Sequence, residues 1–322
     1  MRMIVRVAAF CTALFVASAA FAQNYPNKIV RIIVPFAAGG PTDVVARLVG
    51  QKLSEKLGQQ FIVENIGGAG GNIGMGNAAR APGDGYTILF VSSSYVVNPS
   101  LYSKVPYDPE KDFVPITKAA GAPNALIVHP SVPAKTVKEL VDLIKADPSK
   151  YNIASPGAGT TPSLSIELFK QAFDLNELIV VPFGGGNPAI QAVVAGHTQL
   201  SFQAIPPATA LIQEGRLRAL AITATKRSAV LPDVPTLDEL GAKGQEAETM
   251  QGVLAPAGTP KEIVDLLQRE IAAILSTPDV RDKVLALGFE PSGITPAEFD
   301  TYIKAEIAKW RRVIEKAKIP KI

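Results

Sequence analysis

The stretch that most constrains this chain is Ile29–Asp43, IVRIIVPFAAGGPTD, which dictates a buried strand, a glycine turn and a helix start in immediate succession. Ile29, Val30, Ile32, Ile33 and Val34 form an apolar, β-branched run of strand length that Pro35 stops. Ala37, Ala38, Gly39 and Gly40 leave room for a ligand to approach the backbone. Pro41, Thr42 and Asp43 carry helix-start chemistry, and Val44, Val45, Leu48, Val49 and Leu53 continue at helical spacing. The free N–H groups of such a start attract anions. An ordinary βα turn, its glycines serving only the bend, accounts for the same residues.

A second copy of this arrangement stands downstream. Leu178–Val181 leads into Pro182-Phe183-Gly184-Gly185-Gly186-Asn187-Pro188, which echoes Pro35-Phe36-Ala37-Ala38-Gly39-Gly40-Pro41. Two strand–turn–helix units of this kind predict two similar α/β lobes, each offering a helix start to one cleft. A length of 322 residues with 47% hydrophobic and 19% charged residues suits two globular units with real cores.

The amino terminus reads differently. Arg2 and Arg6 precede an apolar run from Val7 to Ala20, and Ala20-Phe21-Ala22 fits a cleavage site, so residues 1–22 are expected to be a secretory signal peptide. The alternative, an anchoring helix, suffers from the shortness of the run. Cleavage removes Cys11, the only cysteine, and lowers the formal charge from +3 to +1 by loss of the two arginines. A mature chain so close to neutral gives no argument for nucleic-acid or membrane-surface binding.

Between the two echoing units the pattern alternates strand and helix. Gln60–Asn65 and Tyr86–Val91 read as strands, the second ending in Ser92-Ser93-Ser94, hydroxyls that suit either a ligand-facing sheet edge or a plain turn. Gly67–Gly74 is glycine-dense, but Gly68-x-Gly70-x-x-x-Gly74 is one residue too long for a dinucleotide fingerprint. Asn98–Pro115 reads as a long irregular connection. Ala125–Val128, Tyr151–Ser155, Leu200–Phe202, Leu217–Thr223 and Thr249–Leu254 read as further strands, with helices after Thr136, after the loop Ser155–Thr161, at Pro207–Glu214, around Ile263–Ile274 and at Phe299–Ile314. The expectation is an α/β protein with mixed, mostly parallel sheets flanked by helices.

Catalytic machinery is hard to assemble. His129 and His197 have no metal-ligand spacing and no nucleophile elbow to serve; no H-E-x-x-H or C-x-x-C occurs. No cofactor or metal is expected. An exported hydrolase using Ser92–Ser94 would need one of those histidines as its base. Asp43 either stabilises its helix or receives a ligand ammonium or hydroxyl, whereas Asp84 is a turn residue in Pro82-Gly83-Asp84-Gly85. An exported two-lobed chain with glycine- and hydroxyl-rich loops at strand ends describes a solute receptor better than an enzyme.

Tyr25-Pro26, Ile33–Asp43, Val63-Glu64-Asn65, Gly68–Gly74, Ala81–Thr87 and Ser155-Pro156-Gly157 together resemble the Bug receptors, the periplasmic substrate-binding proteins of tripartite tricarboxylate transporters. The resemblance spans essentially the whole mature chain. It implies a two-lobed class II periplasmic-binding-protein fold, with residues 23–122 and 228–322 in one lobe and 123–227 in the other, and a cleft that closes on a small carboxylate. Ligand contacts carried over are Phe36, Ala38, Gly39, Gly40, Thr42 and Asp43 from the first loop and Gly70 and Gly71 from a glycine wall. Ser155, Gly157, Gly159, Thr160 and Thr161 come from the facing loop, and Gln203 from a strand between the lobes. Ser92 and Ser93 at the sheet edge and Phe36 and Phe183 as apolar walls complete the expected site. Two departures stand out: Ile66-Gly67 replace a basic residue and proline, and Gln203 stands where many members have aspartate. The second favours a plain organic acid, aromatic ones included, over an amino acid. Implied partners are the membrane permease subunits of a tripartite transporter or a sensor protein, with the receptor itself a monomer.

Overall fold

In the computed structural model, which describes residues 25–157 and 159–322, β1 (Val30–Val34) runs into α1 (Pro41–Leu57) through the glycine turn. The expected signal peptide lies outside the described residues. β2 (Phe61–Asn65) follows, then α2 (Asn72–Ala79), β3 (Thr87–Ser92) and α3 (Ser94–Leu101). A long strand, β4 (Phe113–Val128), leads to α4 (Val137–Ala146), β5 (Asn152–Ser155), α5 (Thr161–Phe173), β6 (Ile179–Pro182) and α6 (Gly186–Val194). Then come β7 (Leu200–Ala204), α7 (Ile205–Gln213) and β8 (Arg218–Ile222). The chain ends with β9 (Glu248–Pro256), α8 (Lys261–Leu275), α9 (Pro278–Ala286), β10 (Glu290–Pro291) and α10 (Pro296–Lys316).

The strands lie in the order β2-β1-β3-β9-β4-β7-β5-β6, with β8 and β10 also on β4. Parallel pairing is confined to the flanks, β1 with β2 and β3, and β5 with β6 and β7. The central pairs β3–β9, β9–β4, β4–β7, β4–β8 and β4–β10 are antiparallel, so the sheet is mixed without the parallel majority expected. The reason is β4. Its residues 113–123 pair with β9 and its residues 124–128 with β7, so one strand threads both halves of the sheet.

Each half has cores on both faces. In the first, Val45, Val49 and Leu53 of α1 meet Leu267 and Ile271 of α8 over one face, while Tyr95 and Val97 of α3 meet Phe299 and Trp310 of α10 over the other. In the second, Leu126 and Val128 turn toward α4 and α5, and Ala125 and Ile127 toward α6 and α7, the two-residue alternation of a strand buried on both sides. Helix α5 is shared: Ile166 and Phe169 pack in its own half, Leu164 and Leu168 against the α3–α10 cluster. Leu231 and Leu237 pack with the second half.

The stretch read as irregular from Asn98 begins inside α3. Pro99 sits in that helix and cannot donate to the Tyr95 carbonyl one turn back. The Tyr107 hydroxyl donates to that carbonyl instead, at 3.2 Å. A satisfied carbonyl is what lets the helix carry the proline and deliver Asn98, Leu101 and Tyr102 to the site.

Candidate ligand cleft

A cavity of about 450 Å³ opens where the two halves of the sheet meet. Five helix starts border it: Pro41 of α1, Ser94 of α3, Thr161 of α5, Gly186 of α6, and Ala204 and Pro207 at the start of α7. First-turn N–H groups have no acceptor within their own helix, and each start carries roughly half a positive charge; Pro41, Pro162 and Pro207 add no N–H of their own, so the donors come from the non-proline positions. Among the described residues lining the cavity none is Lys, Arg, His, Asp or Glu. Phe36, Leu101, Tyr102, Pro156 and Pro162 give apolar walls. Positive helix ends, apolar walls and no fixed side-chain charge suit a small anion with an apolar frame.

Of the residues expected from sequence, Phe36, Gly70, Ser92, Ser93, Gly159, Thr160, Thr161 and Gln203 line the cavity. Most of their hydroxyls are committed to the protein. Ser93 Oγ donates to the Glu248 carbonyl (2.9 Å) and accepts from the Met250 N–H (2.8 Å), stapling β3 to β9. Thr160 caps α5 by accepting from the Ser163 N–H, and it donates to the Gly157 carbonyl. Thr161 Oγ1 lies 2.8 Å from Thr249 Oγ1 and ties α5 to β9 across the cavity edge. The hydroxyls of this loop therefore shape the site, and the helix N–H groups are left to face an anion.

Ala38, Gly39, Gly40, Thr42, Asp43, Gly71, Ser155, Gly157 and Phe183 do not line the cavity. Gly71 packs beneath the Phe36 ring, where a Cβ would sit 3.3 Å from it. Ser155 Oγ bonds Ser163 Oγ at 3.0 Å and braces the facing loop. Phe183 follows β6, at the outer edge of the sheet, and packs on the α6–α7 side.

Asp43 is not free to receive a ligand. Its carboxylate accepts from the Gly39 N–H (2.8 Å), Arg47 Nε (3.0 Å) and Asn65 Nδ2 (2.8 Å), and Asn65 also donates to the Phe36 carbonyl. Burial pushes its pKa up, but the Arg47 guanidinium, the Gly39 N–H and the Asn65 amide together hold it below the ordinary value. The group thus locks the loop that presents Phe36. A depressed folded pKa stabilises the fold above the unfolded carboxylate range, and that stability is lost as pH falls through the folded value. Asp43→Asn should cost about 1.5–3 kcal/mol at neutral pH, the worth of hydrogen bonds to a charged acceptor. Urea titrations should show the gap between variant and parent closing on acidification; a gap unchanged at low pH would contradict this role.

Ser94, read with Ser92 and Ser93 as a hydroxyl at the strand end, also lines the cavity; sequence reading missed Asn98, Leu101 and Tyr102, hidden behind Pro99, and Thr249, a polar residue in a strand whose pattern gave no sign of an opening. Neither histidine lines the cavity, and His129 Nδ1 is engaged with the Ser131 hydroxyl at 2.7 Å. A second cavity, about 410 Å³, is bordered by β4, β9, β10 and α10. Two of its lysines face acids: Lys118 pairs with Glu248 at 2.5 Å, and Lys309 with Glu306.

A cleft between two α/β halves, ringed by helix starts, is the architecture of a solute-binding protein. The model of the tripartite tricarboxylate transporter family receptors matches residues 45–319, and the chain belongs to that family. It is 33% identical to Protein BugT of Bordetella pertussis over 97% of this chain and 96% of that one. The solved structure of R. palustris Rpa4515 with adipate is 35% identical, with a TM-score of 0.78 over 92% of this chain and 100% of that one. MatC from Rhodopseudomonas palustris with bound malate is 33% identical, with a TM-score of 0.74 over 90% and 100% of the two chains. The two-lobed α/β fold expected from the resemblance is the one the chain shares with these structures.

Proposed function

We propose that this protein is an exported receptor that captures a small carboxylate in the cleft and presents it to the membrane permease subunits of a tripartite transporter. The observation that carries the reading is the ring of five helix starts around a cavity lined by no charged side chain. The relatives holding adipate and malate support it. We divide the chain at the Ala122–Pro123 crossing of β4, with 123–227 as the second lobe. Leu231 and Leu237 pack on that lobe, so we extend it to about residue 242 and begin the return after it. Among the described residues no helix is long and apolar enough to cross a membrane.

A ligand ammonium would find no carboxylate on the cavity wall, and Asp43 is fully engaged. The cargo is therefore an acid without an ammonium group. Calorimetric titration of ligand-stripped protein should give micromolar binding to at least one organic acid and none to aspartate or glutamate. Binding of the amino acids alone would overturn the cargo class, and silence toward every acid would overturn the receptor reading.

A further inference from the structure

The two primary amides in the cavity wall are oriented by their neighbours. Asn98, 3% exposed, donates from Nδ2 to the Gly70 carbonyl (3.0 Å) and to Asn72 Oδ1 (2.8 Å). A backbone carbonyl only accepts, so this contact fixes which end of the amide is nitrogen. Gln203, 2% exposed, donates from Nε2 to Ser201 Oγ at 2.8 Å. The single Ser201 proton goes to a carbonyl, that of Ala154 at 2.6 Å or Phe202 at 3.1 Å, so Ser201 can only accept from Gln203.

Both amides therefore turn an oxygen away from their anchors. Among the described residues no donor reaches Asn98 Oδ1 or Gln203 Oε1, and neither oxygen is among the unpartnered atoms sealed from solvent. Gln203 Oε1 points at the start of α6, where a Cβ on Gly186 would stand 3.2 Å away, and Gly186 lines the cavity. The cleft thus offers two kinds of contact: helix N–H groups that want an acceptor, and two unpartnered amide oxygens on largely buried side chains, one in each half, that want a donor.

We infer that the ligand is a hydroxylated carboxylic acid, its carboxylate on the helix starts and its hydroxyl donating to Asn98 Oδ1 or Gln203 Oε1. This rests on the carboxylate reading above. A simple di-anion has no proton for those oxygens, so on closure over it they are paired only by water or left unpaired. An ammonium has protons but brings a positive charge among positive helix ends with no carboxylate to meet it. A hydroxyl supplies the donor at no cost in charge. Sites built to bond a hydroxyl discriminate strongly against the analogue that lacks it.

The test uses three matched skeletons on the ligand-stripped protein: succinate, malate and aspartate; glutarate, 2-hydroxyglutarate and glutamate; benzoate, 4-hydroxybenzoate and 4-aminobenzoate. On the skeleton that binds most tightly, the hydroxylated member should exceed the deoxy member at least tenfold in affinity. That ratio should collapse toward unity in Gln203→Leu or in Asn98→Leu, a change that mere loosening of the fold would not produce. A deoxy or amino member that binds as tightly as the hydroxy acid overturns the inference and leaves the carboxylate or amino-acid receptor standing. A ratio unmoved in both variants overturns the assignment to these amides. No binding by any of the acids removes the carboxylate reading itself.

Discussion

Gly159→Val should weaken binding of the cognate acid at least tenfold, about 1.4 kcal/mol or more. Gly159 has φ +78°, and a Cβ there would stand 2.2 Å from Leu101 Cδ2. Leu101 is 2% exposed, and the space open to it is the cavity it lines. A β-branched residue in the left-handed region carries a strain of about 1–3 kcal/mol in addition. Either Leu101 turns into the cavity, or the loop moves away from α3 and carries Thr160 and the start of α5 with it. Both residues of the contact line the cavity, so the displacement is felt where the ligand sits. Calorimetry on Gly159→Val and the milder Gly159→Ala should give a graded loss. Unchanged affinity in both would mean that this loop does not close on the ligand.

Trp310→Ala should lower stability by about 3–5 kcal/mol, the cost of emptying a large buried aromatic site. Trp310 is fully enclosed in the cluster that joins α10 to α3. Its Nε1 donates to Glu306 Oε2 at 2.9 Å, and Glu306 is itself buried, with a pKa pushed up chiefly by that burial. The variant therefore leaves a void and also strips a donor from a buried acid. Because α3 carries Asn98, Leu101 and Tyr102, ligand affinity should fall along with the urea midpoint. Trp310→Phe fills most of the volume without restoring the hydrogen bond, so it should recover the larger part of the stability. A loss below about 1 kcal/mol in Trp310→Ala would contradict the packing described, since emptied core sites cost several times that.

What the sequence disclosed follows from which forces act locally. β1 and α1 were legible because strand propensity, a proline stop and helix periodicity agree over one short stretch. The helix after Thr136 was legible from its cap, and the structure shows Thr136 Oγ1 accepting from the Glu139 N–H at 3.2 Å. By contrast, only the last four residues of β4 were read as strand. The run Lys118-Ala119-Ala120-Gly121-Ala122-Pro123 has low strand propensity, and pairing with β9 overrides it.

The Phe36 and Phe183 echo shows a second limit. The two phenylalanines occupy matching places in matching letters, yet Phe36 follows a strand flanked on both sides and Phe183 follows an edge strand. Position in the sheet, which local sequence does not encode, decides that one faces the cavity and the other does not. Helix α3 was hidden for a third reason: the partner that tolerates Pro99, Tyr107, lies outside the helix.

The most direct test of the cleft assignment is an amide shift map of isotope-labelled, ligand-stripped protein titrated with its tightest acid. The largest changes should fall on the N–H groups of Ser94, Thr161 and Gly186, at the starts of three helices from both halves of the chain. Largest changes at Lys118, Glu248 and Lys309, in the second cavity, would place the anion on paired lysines instead and contradict a site made of helix starts.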